Sequence, residues 1–85
     1  VERWNTFYKE LPERSKIFAD LVLLKAPEAV SQADVMNALG MDTPKALGGL
    51  LGTLTRWSAA VGVALPWVAI KADGKRAWRW TGHRD

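Results

Sequence analysis

Cysteine is absent from the 85 residues, and histidine occurs once, as His83 near the C-terminus. Without thiols there are no disulfide staples and no thiolate metal sites. A single imidazole cannot build a His-rich zinc site, and no Ser-His-Asp or Cys-His set can be assembled around it. We read His83 as a solvated tail residue. Long apolar runs are missing too. The richest stretch, from Trp57 to Ile70, is broken by Gly62 and Pro66 and falls short of the ~20 residues that span a bilayer. Gly48, Gly49 and Gly52 are not followed by a GK[ST] signature, so they do not form a phosphate loop. No catalytic residue, metal or cofactor is therefore expected. The chain does not read as an enzyme or a membrane protein.

What is present suits one domain with one modest core: 48% of the residues are hydrophobic and 25% charged. The chain opens at Val1, with neither Met nor a basic-then-apolar signal pattern, and reads as a domain cut from a longer protein or a trimmed form of one. The formal net charge is +3, unevenly spread. Residues 1–44 hold five Lys or Arg against seven acids, whereas residues 45–84 hold seven against Asp73 alone. The second half is a basic surface suited to an anion.

Trp4, Phe7, Tyr8 and Leu11 recur at the spacing of one helical face, so residues 1–11 read as an amphipathic N-terminal segment preceding a domain at 12–85. Pro12 disfavours helical geometry at Leu11 and suits the first residue of a second helix. The inner face of that helix is expected to be Ile17, Phe18, Leu21, Val22 and Leu24, with Pro27 ending it. Ser31-Gln32-Ala33-Asp34 fits a capping box. The short helix that follows should turn Val35, Ala38 and Leu39 inward and close on Gly40. Thr43 and Pro44 then supply an N-cap and a first helical residue. The helix from 44 to about 60 carries Leu47, Leu50, Leu51, Leu54, Trp57 and Val61 on one stripe. Lys45, Gly48, Gly49, Gly52 and Arg56 lie on the other.

Beyond Gly62 the period changes to two. Trp67–Lys71 and Lys75–Trp80 flank Asp73-Gly74, a strong hairpin signal. A two-residue turn would put Val68 and Ile70 on one face with Ala77 and Arg79. A three-residue loop, Ala72-Asp73-Gly74, instead groups Val68, Ile70, Trp78 and Trp80 and leaves Ala69, Lys71, Ala77 and Arg79 opposite. The second choice separates an apolar face from a basic one, as a half-buried hairpin requires, and it is the expected register. Trp57, Trp78 and Trp80 have core periodicity; Trp4 and Trp67 carry no such assignment.

Mostly α with a small β-hairpin, the order resembles the winged helix-turn-helix superfamily of DNA-binding proteins in its bacterial form, with three to four helices and a C-terminal wing. The resemblance covers residues 13–82. It rests on SQADVMNALGMDTPKALGGLLGTLTRW as the helix-turn-helix and WVAIKADGKRAWRW as the wing. It implies that the helix opening at Pro44 enters the DNA major groove. Thr43, Lys45, Gly48, Gly49, Gly52 and Arg56 would then lie at the duplex, with Thr53 and Thr55 as lesser contacts. Lys71, Lys75, Arg76 and Arg79 of the wing would touch backbone or minor groove, and Ser31 and Gln32 would lie near a phosphate. The resemblance also implies a cytoplasmic, nucleoid-associated protein with a role in transcription regulation.

Each glycine in a helix interior costs about 1 kcal/mol relative to alanine. Three in one helix mean either close helix packing or close approach of DNA. Few long polar side chains accompany them, so base reading would be weak and recognition mainly by backbone and shape. The wing cations suit nucleic acid, but they also suit a solvated edge that resists aggregation. The other function class is a protein-interaction winged helix, docking a partner or a second copy through residues 4–11 or the glycine face. RNA or single strands are a further alternative, but no aromatics stand clearly exposed on a sheet face to stack bases.

Overall fold

The computed structural model describes residues 2–82; His83 and Arg84 lie outside the described residues. The chain forms helix α1 (Glu2–Lys9), α2 (Glu13–Lys25), strand β1 (Val30–Ser31), α3 (Gln32–Leu39), α4 (Pro44–Val61), β2 (Trp67–Ala72) and β3 (Lys75–Trp80). It is mostly helical, with one small antiparallel sheet in the order β1-β3-β2.

Local chemistry sets the helix ends. Ser31 Oγ accepts the Asp34 N–H at 3.1 Å, and Thr43 Oγ1 accepts the Ala46 N–H at 3.2 Å. Each side chain thereby satisfies one of the donors that a helix start leaves unpaired. Pro44 opens α4, where a missing N–H costs nothing. Gly40 and Gly62 close α3 and α4 with φ of 66° and 74°, in the left-handed region that favours glycine. Pro12, expected as the first helical residue of α2, is its N-cap instead.

One hydrophobic cluster joins all four helices to the sheet. Its centre is aromatic. Phe18 of α2 meets Trp67 and Trp78 edge-on, at 5.2 and 5.5 Å between ring centroids. Trp4 of α1 meets Trp67 at 5.5 Å, and Phe7 meets Trp57 of α4 at 5.2 Å. Edge-to-face pairs of this kind add about 0.5–1.5 kcal/mol to the burial itself. The stripe of Trp4, Phe7 and Leu11 is buried here, within the same cluster as the rest of the chain. A stripe considered for a partner is thus covered by the chain's own core. Tyr8 adds a polar tie, its hydroxyl donating to Asp20 at 2.8 Å.

Several expected inner positions differ. Leu24 is 79% exposed and Ile17 lies at the surface, whereas Ser15 and Ala19 are buried in their place. The sheet covers the side of α2 that carries Phe18 and Val22, and that side is narrower than its apolar stripe. On α3, Val35 and Leu39 are buried but Ala38 is exposed. On α4, Val61 is 53% exposed and Ser58 is buried instead. Ser58 is accommodated because its hydroxyl donates to the Thr55 carbonyl at 2.9 Å.

The hairpin register also differs from the expected one. Ala72 pairs with Lys75, so the turn is the two residues Asp73-Gly74, with φ of 53° and 77°. Positive φ at both positions is the geometry that matches the twist of a two-residue hairpin. Trp67, Ala69 and Lys71 therefore share a face with Trp80, Trp78 and Arg76. Val68, Ile70 and Ala72 share the other with Arg79, Ala77 and Lys75. Trp78 is buried as expected, but Val68 and Ile70 are not its companions. Trp67 is, because Phe18 packs against both rings. Strand β1, unforeseen in the sequence, pairs Val30 with Trp78 and Ser31 with Ala77 and widens the expected two-stranded hairpin to a sheet.

Candidate nucleic-acid interface

Helix α4 turns its leucines to the core and leaves a second stripe outward. At 100° per residue, Lys45, Gly48, Gly49, Gly52 and Arg56 fall within about a third of the helix circumference. Lys45, Gly49 and Arg56 are exposed, and Gly48 and Gly52 half-buried. A Cβ built on Gly48 or Gly49 meets nothing within 4 Å, and one on Gly52 meets only Arg56 Nη1 at 3.4 Å. Among the described residues no neighbour therefore requires these glycines. Arg56 bends back along the helix, with Nη2 at 3.5 Å from Thr53 Oγ1.

The tryptophan face of the hairpin packs on Phe18 of α2 and borders α4. A cleft of about 160 Å³ between the hairpin and α4 is lined by Leu51, Leu54 and Thr55 of α4, by Leu65, and by Trp67, Ala69, Arg76 and Trp78 of the hairpin. The Arg76 guanidinium sits 5.8 Å from the centroid of the Trp78 ring, a cation–π distance. Lys71 is the cross-strand partner of Arg76. The four hairpin cations thus divide into pairs. Lys71 and Arg76 lie on the tryptophan face, with Arg76 lining the cleft to α4, and Lys75 and Arg79 lie on the opposite face. The register correction separates Lys71 from Arg79, which were expected together.

Lys71 and Arg76 stand directly opposite one another, and like charges so placed destabilise a sheet by about 0.2–1 kcal/mol. Among the described residues no carboxylate forms an ion pair with Lys45, Arg56, Lys71, Lys75, Arg76 or Arg79. All six are exposed.

The remaining candidates are less available. Thr43 and Ser31 use their hydroxyl oxygens as helix caps. Ser31 and Gln32 are half-buried where β1 runs into α3, at the sheet edge away from β2. Among the described residues no group of three or more His, Cys, Asp or Glu is placed to hold a metal, and no helix is long and apolar enough to cross a membrane. Reading the sequence missed the cleft and the Arg76–Trp78 contact. The only signal for either was the Arg-Ala-Trp spacing, which is interpretable once the register is known. No family model, no curated protein and no solved structure matches the chain.

Proposed function

We propose that the chain is a winged helix-turn-helix module that binds duplex DNA through phosphates and shape, with α4 toward the major groove and the hairpin on the adjoining backbone. The reading is supported by the order α2-β1-α3-α4-β2-β3, with α3 and α4 joined through a glycine-capped turn. The observation that carries it is the opposed Lys71–Arg76 pair on the hairpin face that borders α4, where Arg76 lines the cleft with Leu51, Leu54 and Thr55. Two cations held together without a carboxylate are relieved by an anion placed between them, and a phosphate supplies one. The bare backbone at Gly48, Gly49 and Gly52 lets a helix approach a duplex closely. It also removes the Asn, Gln and Arg side chains that read base edges. Such a module would act in the cytoplasm, at the nucleoid, and the reading assigns it no catalytic step.

The test is anisotropy of a labelled mixed-sequence duplex, titrated across a range of salt concentrations. If Lys45, Arg56, Lys71 and Arg76 each neutralise one phosphate, log K should fall against log salt with a slope of about −3 to −4. The affinity at physiological salt should be ~10⁻⁴ to 10⁻⁶ M. Lys71→Ala should lower the slope by about one, and Arg79→Ala should leave it unchanged. No binding at low salt would reject the reading in favour of a protein-interaction domain.

A further inference from the structure

The face of the hairpin turned away from α4 has no role in the interface above. Val68 and Ile70 are half-buried there, yet neither belongs to the hydrophobic cluster or packs against it. Between them and β1 lies Ala77, buried and paired with Ile70 on one side and Ser31 on the other. Lys75 and Arg79 stand exposed on the same face. None of the three strands contains an acidic residue; the nearest in sequence is Asp73, in the turn. The face is therefore aliphatic along its middle and cationic at its borders. Strand β2, which carries Val68 and Ile70, is an edge strand.

We propose that this outer face docks an acidic, aliphatic segment of a partner protein. Its aliphatic side chains cover Val68 and Ile70, and its carboxylates meet Lys75 and Arg79. Charge complementarity selects the acidic partner, and the aliphatic middle selects peptide over nucleic acid. Phosphates would satisfy Lys75 and Arg79 but leave Val68 and Ile70 in water, whereas a peptide of alternating Leu, Ile or Val with Asp or Glu satisfies both. An edge strand also offers backbone N–H and C=O groups to an extended partner. Because Lys71 and Arg76 lie on the other face, duplex and partner can occupy the chain together.

The test is selection of a phage-displayed random peptide library on the intact chain, followed by calorimetry with the most enriched synthetic peptide. Enriched sequences should alternate aliphatic and acidic residues. Their affinity should fall about tenfold or more in Ile70→Ser and in Arg79→Glu, and hold in Lys71→Ala. Near-UV circular dichroism of the buried tryptophans checks that each variant is folded. Three results overturn the proposal: no acidic–aliphatic enrichment, peptides indifferent to both Ile70→Ser and Arg79→Glu, or duplex binding that falls with Ile70→Ser. The last would assign the face to DNA. Duplex titration of Lys71→Ala reports on the DNA reading separately, so the two can fail independently.

Discussion

At Gly49 an added methyl group meets open space, and at Gly52 it meets only the guanidinium end of Arg56. Alanine at either position removes a propensity cost of about 1 kcal/mol without overpacking. Gly49→Ala should therefore raise the denaturation midpoint, and Gly52→Ala should leave it unchanged or raise it. A fall in either would mean that a neighbour touches the stripe. Gly49→Gln extends the test to function: it should fold normally and weaken duplex binding, because its side chain projects from a surface that the proposal brings against DNA. Gly40 and Gly62 behave oppositely, since their positive φ is strained for any L side chain, and alanine there should destabilise by about 1 kcal/mol. Tyr8 gives the pH dependence at this scale. Its phenol titrates above the usual 10.0, chiefly because it donates to Asp20, with burial and the Asp20 charge adding to the effect. A group whose pKa is raised on folding contributes stability fully present below its unfolded value and lost as pH rises through the folded one. Tyr8→Phe should thus be less stable than the parent at neutral pH, and the gap should close in strongly alkaline solution.

Hairpin stability and hairpin function oppose each other at the level of the element. The opposed Lys71–Arg76 pair costs the free domain stability, and Arg76 recovers part of that cost against Trp78. Lys71→Glu replaces repulsion with attraction across the strands. It should stabilise the domain by a few tenths of a kcal/mol to about 1 kcal/mol while weakening duplex binding by more than Lys71→Ala does. Urea denaturation and the salt titration together check the two signs; a Lys71→Glu protein that binds DNA as before would remove the hairpin from the interface. The same hairpin depends on Trp78, buried against Phe18 and paired with Val30. Trp78→Ala should cost about 3–5 kcal/mol, a large part of the 5–15 kcal/mol typical of a domain.

For the whole molecule, α1 is part of the core and not an appendage. Trp4, Phe7 and Leu11 are buried, and two of them make the edge contacts to Trp67 and Trp57. Each buried side chain of this size is worth about 1.5–3 kcal/mol. Removing residues 1–11 should therefore abolish cooperative thermal unfolding or lower its midpoint severely, and should expose Trp67 and Trp57 to collisional quenchers of fluorescence. A truncated chain with native-like unfolding would show that residues 12–85 fold without residues 1–11. The charge asymmetry also operates at this scale: the acidic half supplies α1, α2 and α3, and the basic half supplies α4 and the hairpin. The proposed duplex contacts accordingly all come from the basic half.

The sequence by itself determined what depends on neighbours a few residues away. Ser31 caps α3, Thr43 and Pro44 start α4, and Gly40 and Gly62 end helices, because each acts on backbone groups within one turn. The outward glycine stripe was legible for the same reason, since helical period alone opposes it to Leu47, Leu51 and Leu54. Tertiary structure decided which side of the hairpin faces inward. Asp73-Gly74 suits a turn of either length, and both faces carry enough apolar residues to be buried, so strand period leaves two registers open. Phe18, some fifty residues earlier in the chain, resolves them by packing on Trp67 and Trp78. That contact pairs Lys71 with Arg76 and turns Val68, Ile70 and Arg79 outward. Strand β1 is equally a product of tertiary structure, because two residues carry no period and Val30 becomes a strand residue only by pairing with Trp78. The burial of Ser58 in place of Val61 follows the same rule: where α4 leaves the core depends on what packs against it. Helix caps are local and legible, whereas the facing of a two-sided strand is set by a contact distant in sequence.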